Sequence, residues 1–446
     1  MKLNINIRPQ QILSKDGVSF IIPFFLITGC FALWGFANDM NGPIVKAFSK
    51  IFCMSVTEGV MVNVAFYLGY FAMAFPAALF IQRHSFKAGV VVGLSLFAIG
   101  ALMFLPAKIM GMYTPFLLAY FTMTCGMSFL ETSCNPYIYC MGTEETATQR
   151  LNLAQAFNPI GALLGMYVAM HFVQSRMSPM PANDRQLLGE TEFNTLKDHD
   201  LGMLIGPYLA LGIACLLLLV FIYMKRMPMQ GDKHSAKGLR QALLELSQVK
   251  GYREGVLAQF CYVGAQVACW TFIIQYGTRI FMQEGMDEKS AEILSQKFNI
   301  IAMVFFCISR FVCTWVLKYI RPSQLLSALS ILAAILVGGV ILFPDRNGLF
   351  CLVAISGCMS MMFPTIYSMA LHNVGDNVKF AGAGLIMAIL GGSVFPPMQA
   401  VIIDSNIQLL GLSSTNLSFI IPFLCFIVIA VYGHRCFIRQ VQSGTY

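Results

Sequence analysis

Long stretches of this chain carry no charged residue, and short polar clusters separate them. Residues 20–36 are uncharged, and the first charge beyond them is Asp39. Residues 60–81, 88–107, 202–224, 325–343, 348–371 and 417–433 repeat the pattern, and 300–317 is broken only by Arg310. A helix rises 1.5 Å per residue, so about 20 residues cross a hydrocarbon layer roughly 30 Å thick. The pattern predicts an all-α membrane protein with twelve transmembrane helices. They fall near 20–44, 57–81, 87–107, 112–139, 151–174, 202–224, 255–278, 298–317, 323–343, 347–372, 380–403 and 416–434. The first stretch reads as a span and not as a cleaved secretory signal, because it is long and no small-residue cleavage site follows it.

Composition agrees. Of 446 residues, 57% are apolar and 11% charged, with a mean hydropathy of +0.70. A soluble domain needs about 25% charged residues to cover its surface, so the outer surface here faces lipid. Twelve spans place both termini on one side. Lysine and arginine mark that side as cytoplasmic: eighteen of them fall on the termini, the central linker and short loops such as Arg83 to Lys87, against ten opposite. The net charge of +8 follows from this bias and implies no nucleic-acid partner. The fourteen cysteines are dispersed, with no C-x-x-C pair and no histidine at zinc spacing. Neither a disulfide framework nor a metal site is expected, and no cofactor.

The polar stretch 227–251 divides the chain into residues 1–226 and 252–446, two six-helix halves joined by a cytoplasmic linker. Short echoes relate them. Pro136-Tyr137-Ile138-Tyr139 and Pro364-Thr365-Ile366-Tyr367 both read P-x-I-Y, and Trp34 and Trp270 lie at a similar offset. Gly161-Ala162-Leu163 has a counterpart in Gly382-Ala383-Gly384. A duplicated six-plus-six carrier places its site between repeats near the bilayer midplane.

Ionisable side chains inside a membrane are costly and need a partner or a purpose. Three stand out. Glu131 lies deep in the fourth span, with Asn135 one turn on and on the same face. A carboxyl group among apolar neighbours favours its neutral form, so it can take up and release a proton; the alternative is a carboxylate locked to an arginine on another helix. Asp39, near the outer end of the first span, flanks a stripe of Trp34, Asn38 and Asn41, and serves either proton coupling or the membrane interface. Arg310 is either the counter-ion of a carboxylate or a ligand for the solute.

The uncharged polar residues point to the solute. Gln259, Tyr262, Gln266 and Trp270 occupy one helical face of the seventh span, and Gln155 and Asn158 share a face of the fifth. Amides donate to and accept from hydroxyl groups, and an aromatic ring packs on the apolar face of a sugar. Helix-to-helix hydrogen bonding is the plain alternative for any one of them.

At these segments the chain resembles the fucose–galactose–glucose proton symporters of the major facilitator superfamily. The segment from Leu257 through Gln259, Tyr262 and Gln266 to Trp270 is similar to theirs, as are Leu130-Glu131-Thr132 with Asn135-Pro136. So are Arg150-Leu151-Asn152-Leu153-Ala154-Gln155 with Asn158, and the turn Ser85-Phe86-Lys87-Ala88-Gly89. The resemblance runs from about residue 20 to 432. It implies the major facilitator fold and proton-coupled uptake of a monosaccharide by alternating access, L-fucose first, with galactose or glucose as the alternative. It implies a monomer in a bacterial inner membrane, with sugar, proton and membrane lipid as its partners. It assigns Glu131 to proton coupling and sugar binding, and places Gln155, Asn158 and Phe363 at the cavity. One position departs: the family's first-span motif ends in Asn-Asp, and here Asn41 is followed by Gly42. Either Asp39, three residues earlier, takes over that proton role, or Glu131 carries it alone.

Other classes fit less well. A multidrug exporter of the same superfamily would need a mostly apolar cavity. A membrane-embedded enzyme would need a metal motif, nucleophile elbow or phosphate loop, and the chain has none. A receptor that only signals differs from a carrier in lacking net solute flux.

Overall fold

The computed structural model describes residues 13–15, 18–54, 56–178, 180, 182–225, 227, 239–372, 374–405 and 412–442. Residues 1–12, with Lys2 and Arg8, and 228–238, with Lys233 and Lys237, lie outside them. So do the side chain of Asn41 and the surroundings of Gly42.

After two two-residue strands, β1 (Ser14–Lys15) and β2 (Val18–Ser19), the described chain is helical. The first run comprises α1 (Ile21–Ile51), α2 (Val56–Arg83), α3 (Phe86–Leu102), α4 (Phe104–Met110), α5 (Tyr113–Cys140), α6 (Ala147–Gln155), α7 (Phe157–Val168), α8 (Ala182–Arg185) and α9 (Glu190–Met224). The second comprises α10 (Leu239–Gln248), α11 (Lys250–Gln283), α12 (Glu288–Val316), α13 (Pro322–Leu342), α14 (Arg346–Met359), α15 (Met362–Leu371), α16 (Val378–Met387), α17 (Gly391–Asp404), α18 (Ser414–Ser418) and α19 (Ile420–Gln442). Ten helical segments among the described residues are long and apolar enough to cross a membrane. α2 and α5, with 28 residues each, are about 42 Å long and stand where the second and fourth spans are expected. The polar run 128–135 makes α5 the less apolar helix.

Helix ends follow local chemistry. Ser85 Oγ accepts from the Ala88 N–H at 3.0 Å and starts α3. Lys87 in the same basic turn donates to the carbonyls of Tyr223 and Lys225, at 2.9 and 2.8 Å, and so closes the C-terminal end of α9. Gly111, at φ +62°, ends α4 in the left-handed conformation that glycine adopts without strain. Asp287 and Asp345 cap α12 and α14. Both α9, which starts at Glu190 without a side-chain cap, and α12, which starts at Glu288 after the Asp287 cap, begin well before their apolar stretches.

The chain forms two compact units. One comprises Asp16–Met141 and Phe157–Ser235; the other comprises Met1–Lys15, Gly142–Ala156 and Ala236–Tyr446. In the first, α1 packs on α7, and α3 and α2 both pack on α5. In the second, α11 is the hub for α12, α15, α17 and α19, while α13 packs on α14 and α19, and α6 lies on α12 and α15.

A glycine seam recurs in both units. A Cβ at Gly161 on α7 would overlap the Ala32 carbonyl of α1, and one at Gly165 the Phe36 carbonyl. A Cβ at Gly391 on α17 would overlap the Phe260 carbonyl of α11 in the same way. Residues 32 and 260 are 228 positions apart, the offset of the P-x-I-Y echo. Outward-facing Leu216, Leu217, Val220, Phe221, Ile331, Ile335 and Leu424 are all more than two-fifths exposed. Apolar helix faces with their backbones satisfied internally suit lipid.

A buried ion pair ties the segment before α9 to that helix. Arg185, 1% exposed, donates Nη2 to Asp200 Oδ2 at 2.6 Å, and Asp200 is fully buried. Asp200 Oδ1 accepts from the Ser178 N–H at 2.9 Å, and the Ser178 carbonyl accepts from Lys50 Nζ at 2.6 Å. Lys50 lies beyond the apolar part of α1. Burial and the charge of Arg185 hold its ammonium below the usual lysine range, and Asp200 opposes them.

Candidate functional site

In the first unit the chemistry collects on α1, α2, α5 and α7. Glu131 on α5 is buried. The Tyr70 hydroxyl of α2 donates to its Oε1 at 2.9 Å, and the Ser128 hydroxyl returns to the Tyr70 carbonyl at 3.0 Å. Among the described residues no cation pairs with Glu131. Asn135, fully buried, donates Nδ2 to the Glu131 carbonyl at 3.1 Å and so stays on the face that the spacing predicts. α1 also packs alongside α5.

Asn38 and Asp39 are half-buried on α1. Asn38 Oδ1 has no hydrogen-bond partner, and Asp39 has no ion pair among the described residues. Asn158 on α7 donates Nδ2 to the Phe31 carbonyl at 3.4 Å. A Cβ at Gly35 would overlap the Asn158 carbonyl, so the glycine seam carries Asn158 to within one turn of Asn38. Trp34 is buried against Phe31, with ring centroids 4.2 Å apart.

In the second unit the α11 stripe splits by burial. Gln259 and Tyr262 are fully buried, while Gln266 and Trp270 are half-buried. The Tyr262 hydroxyl donates to the Met359 carbonyl at 3.1 Å, and Trp270 Nε1 donates to Ser356 Oγ at 3.2 Å. Trp270 also meets Phe306 edge to face at 5.0 Å. Phe363, half-buried on α15, stands edge to face with Tyr262 at 6.2 Å.

The interruption between α14 and α15 explains two of these positions. A helix break frees backbone carbonyls that need a donor where water is scarce. Tyr262 takes the Met359 carbonyl, and Arg310 Nε takes the Ser360 carbonyl. Arg310 Nη1 also donates to the Gln155 carbonyl at 2.9 Å, and its guanidinium lies 4.6 Å from the Phe306 ring centre. Among the described residues Arg310 makes no ion pair. Gln155 ends α6, which is further fixed by Asn152 Nδ2 to Thr365 Oγ1 at 3.1 Å and Thr148 Oγ1 to Ser368 Oγ at 2.8 Å. Gln259 is the exception. Both its amide atoms are buried with no hydrogen-bond partner, a rare and costly arrangement.

Tyr70 escapes sequence reasoning. Its partner lies 61 residues away, and a single tyrosine in an apolar span carries no spacing signal.

A chain whose spans bury amides, a carboxyl group and a guanidinium among lipid-facing helices belongs to the polytopic carriers. It is a member of the Major Facilitator Superfamily, whose profile matches residues 27–396. Over 425 residues it is 43% identical to an L-fucose-proton symporter of Haemophilus influenzae, covering 93% of this chain and 96% of that one. It is 28% identical to a glucose/galactose transporter of Brucella abortus, across 91% of this chain and 92% of that one. The crystal structure of FucP, a major facilitator transporter in the outward conformation, superposes with a TM-score of 0.84 at 30% identity. The match covers 94% of this chain and 99% of that one.

Proposed function

We propose that this protein is a proton-coupled symporter that brings a monosaccharide, L-fucose, across the inner membrane of a bacterium. The observation that carries the coupling is Glu131: a buried carboxyl group bonded to a neutral phenol, with no cation beside it among the described residues. Loading a proton there removes the charge, so the carrier can change shape without dragging an unpaired charge through apolar surroundings. The identity to the Haemophilus symporter supports L-fucose, and that to the Brucella transporter keeps galactose and glucose as the second reading.

The working parts are residues 1–226 and 252–446, joined by the linker 227–251, with both termini cytoplasmic and the monomer as the active unit. Asn38, Asn135, Gln155, Asn158, Gln259, Gln266 and Trp270 bind sugar hydroxyls or the ring face, with Tyr262 and Phe363 shaping the wall. Asp39 stands in for the carboxylate missing at Gly42, and Arg310 positions the site through the carbonyls of Ser360 and Gln155.

The test is uptake of labelled L-fucose into proteoliposomes with and without an imposed proton gradient, in competition with galactose and glucose. Accumulation driven by the gradient and blocked first by L-fucose is the expected result. Uptake indifferent to the gradient removes symport, and stronger competition by galactose reassigns the sugar.

A further inference from the structure

One end of the second unit gathers basic side chains from three helices. α11 opens with Lys250 and Arg253, both exposed. α19 closes with Arg435 and Arg439, whose side chains are 61% and 39% exposed. Arg321, at the start of α13, lies 6.0 Å from the Phe437 ring centre and so ties a third helix to the same end. Glu254 is shared between Arg435 Nη1, at 3.1 Å, and Arg439 Nη2. One carboxylate thus serves two guanidiniums. Glu245 on α10 accepts from Asn377 Nδ2 at 2.9 Å and from Gln241 Nε2 at 3.3 Å.

The flank of this end is apolar in an ordered way. Leu424, Ile427 and Val431 on α19 are exposed, and Arg435 follows them at the next helical step on the same face. The lipid-facing stripe of α19 therefore ends in a guanidinium. At the close of α12, Trp315 and Tyr319 are both exposed and meet edge to face at 5.0 Å. Exposed tryptophan and tyrosine settle at the headgroup level of a bilayer. Arg321 follows two residues after Tyr319, so the cations stand at the depth of the lipid phosphates.

We propose that this end of the unit binds the phosphodiester headgroup of an anionic phospholipid. Arg435, Lys250 and Arg253 hold the phosphate oxygens, and the acyl chains run back along Val431, Ile427 and Leu424. Recognition is by charge at the headgroup and apolar contact below it, as basic sites between membrane helices achieve. The site makes no use of the sugar or of the coupled proton.

The purified full chain in neutral detergent, titrated with phosphatidylglycerol or phosphatidylcholine, tests this by the lipid it retains in native mass spectrometry. Phosphatidylglycerol is expected to be retained in preference. Lys250→Gln with Arg253→Gln should weaken it roughly thirtyfold, and this pair leaves the Glu254 clamp untouched. Adding Arg435→Gln should weaken it further. Equal retention of the two lipids by the unmodified chain overturns the proposal, as does undiminished retention in the double variant. Displacement of phosphatidylglycerol by inorganic phosphate would assign the site to a soluble anion and overturn it too.

Discussion

The Tyr70 hydroxyl donates to Glu131 Oε1 at 2.9 Å and so fastens α2 to the one buried carboxyl group of α5. The bond ties the carboxyl to α2 within a buried cluster that also holds Ser128 and Asn135. In Glu131→Gln the group can no longer carry a proton. Gradient-driven accumulation should fall at least about tenfold, while exchange of sugar across a membrane without a gradient survives. Tyr70→Phe removes a hydrogen bond to an ionisable group, about 1.5–3 kcal/mol, and should reduce uptake by roughly tenfold. Full accumulation in Glu131→Gln would take the proton off this residue and leave Asp39 to carry it.

Gln259 pairs a stability effect with an activity effect of opposite sign. Its amide is fully buried with neither polar atom bonded, which costs about 1–3 kcal/mol relative to an apolar group of the same shape. Gln259→Leu should therefore raise the melting temperature in detergent and lower sugar affinity. A variant less stable than the original would mean that the amide has partners in solution.

The Arg185–Asp200 pair has the energetics of a buried ion pair. Asp200→Asn leaves a guanidinium without its partner and should destabilise the first unit by about 3–5 kcal/mol. Replacing both groups, by Arg185→Met with Asp200→Leu, should restore most of that loss. Thermal unfolding of the three variants side by side measures it, and a double variant as unstable as the single one would contradict this account.

Glu284 and Arg346 form an exposed, forked pair, with Nε and Nη2 of the arginine at 2.8 and 2.6 Å from the two carboxylate oxygens. The hydrogen bonds hold the Glu284 carboxyl below its usual range. A group with a depressed folded value contributes stability above its unfolded value, about 4.3 for glutamate, and loses it as pH falls through the folded one. Glu284→Gln should thus lower the melting temperature slightly at neutral pH, with the gap closing in acid. A gap that widens in acid would contradict the sign.

Much of this molecule is legible in its hydropathy, because lipid demands apolar helices of a fixed length. Asn135 and Glu131 lie one turn apart on α5, and the four polar residues of α11 lie on one unbroken helix but divide by burial. Helix ends are not legible: α9 and α12 continue past their apolar stretches because backbone hydrogen bonding persists in water once Glu190 and the Asp287 cap begin it. Partners across helices are not legible either. Tyr262 and Arg310 satisfy carbonyls freed at Met359 and Ser360; Pro364, which has no N–H to offer Ser360, signals the break in the sequence, but nothing local names the donors that fill it. Arg185 and Asp200 look like ordinary loop charges until the fold buries them.

The glycine seams have a mechanical meaning. Where Gly161 and Gly165 meet the carbonyls of Ala32 and Phe36, main chain bears on main chain. Such a junction has no rotamers to change and no side chain to compress. The only way to separate the two helices is to move one backbone away from the other. The helices that carry Asn38 and Asn158 are thereby held backbone to backbone in one register, and Gly391 seats α17 on α11 in the same way.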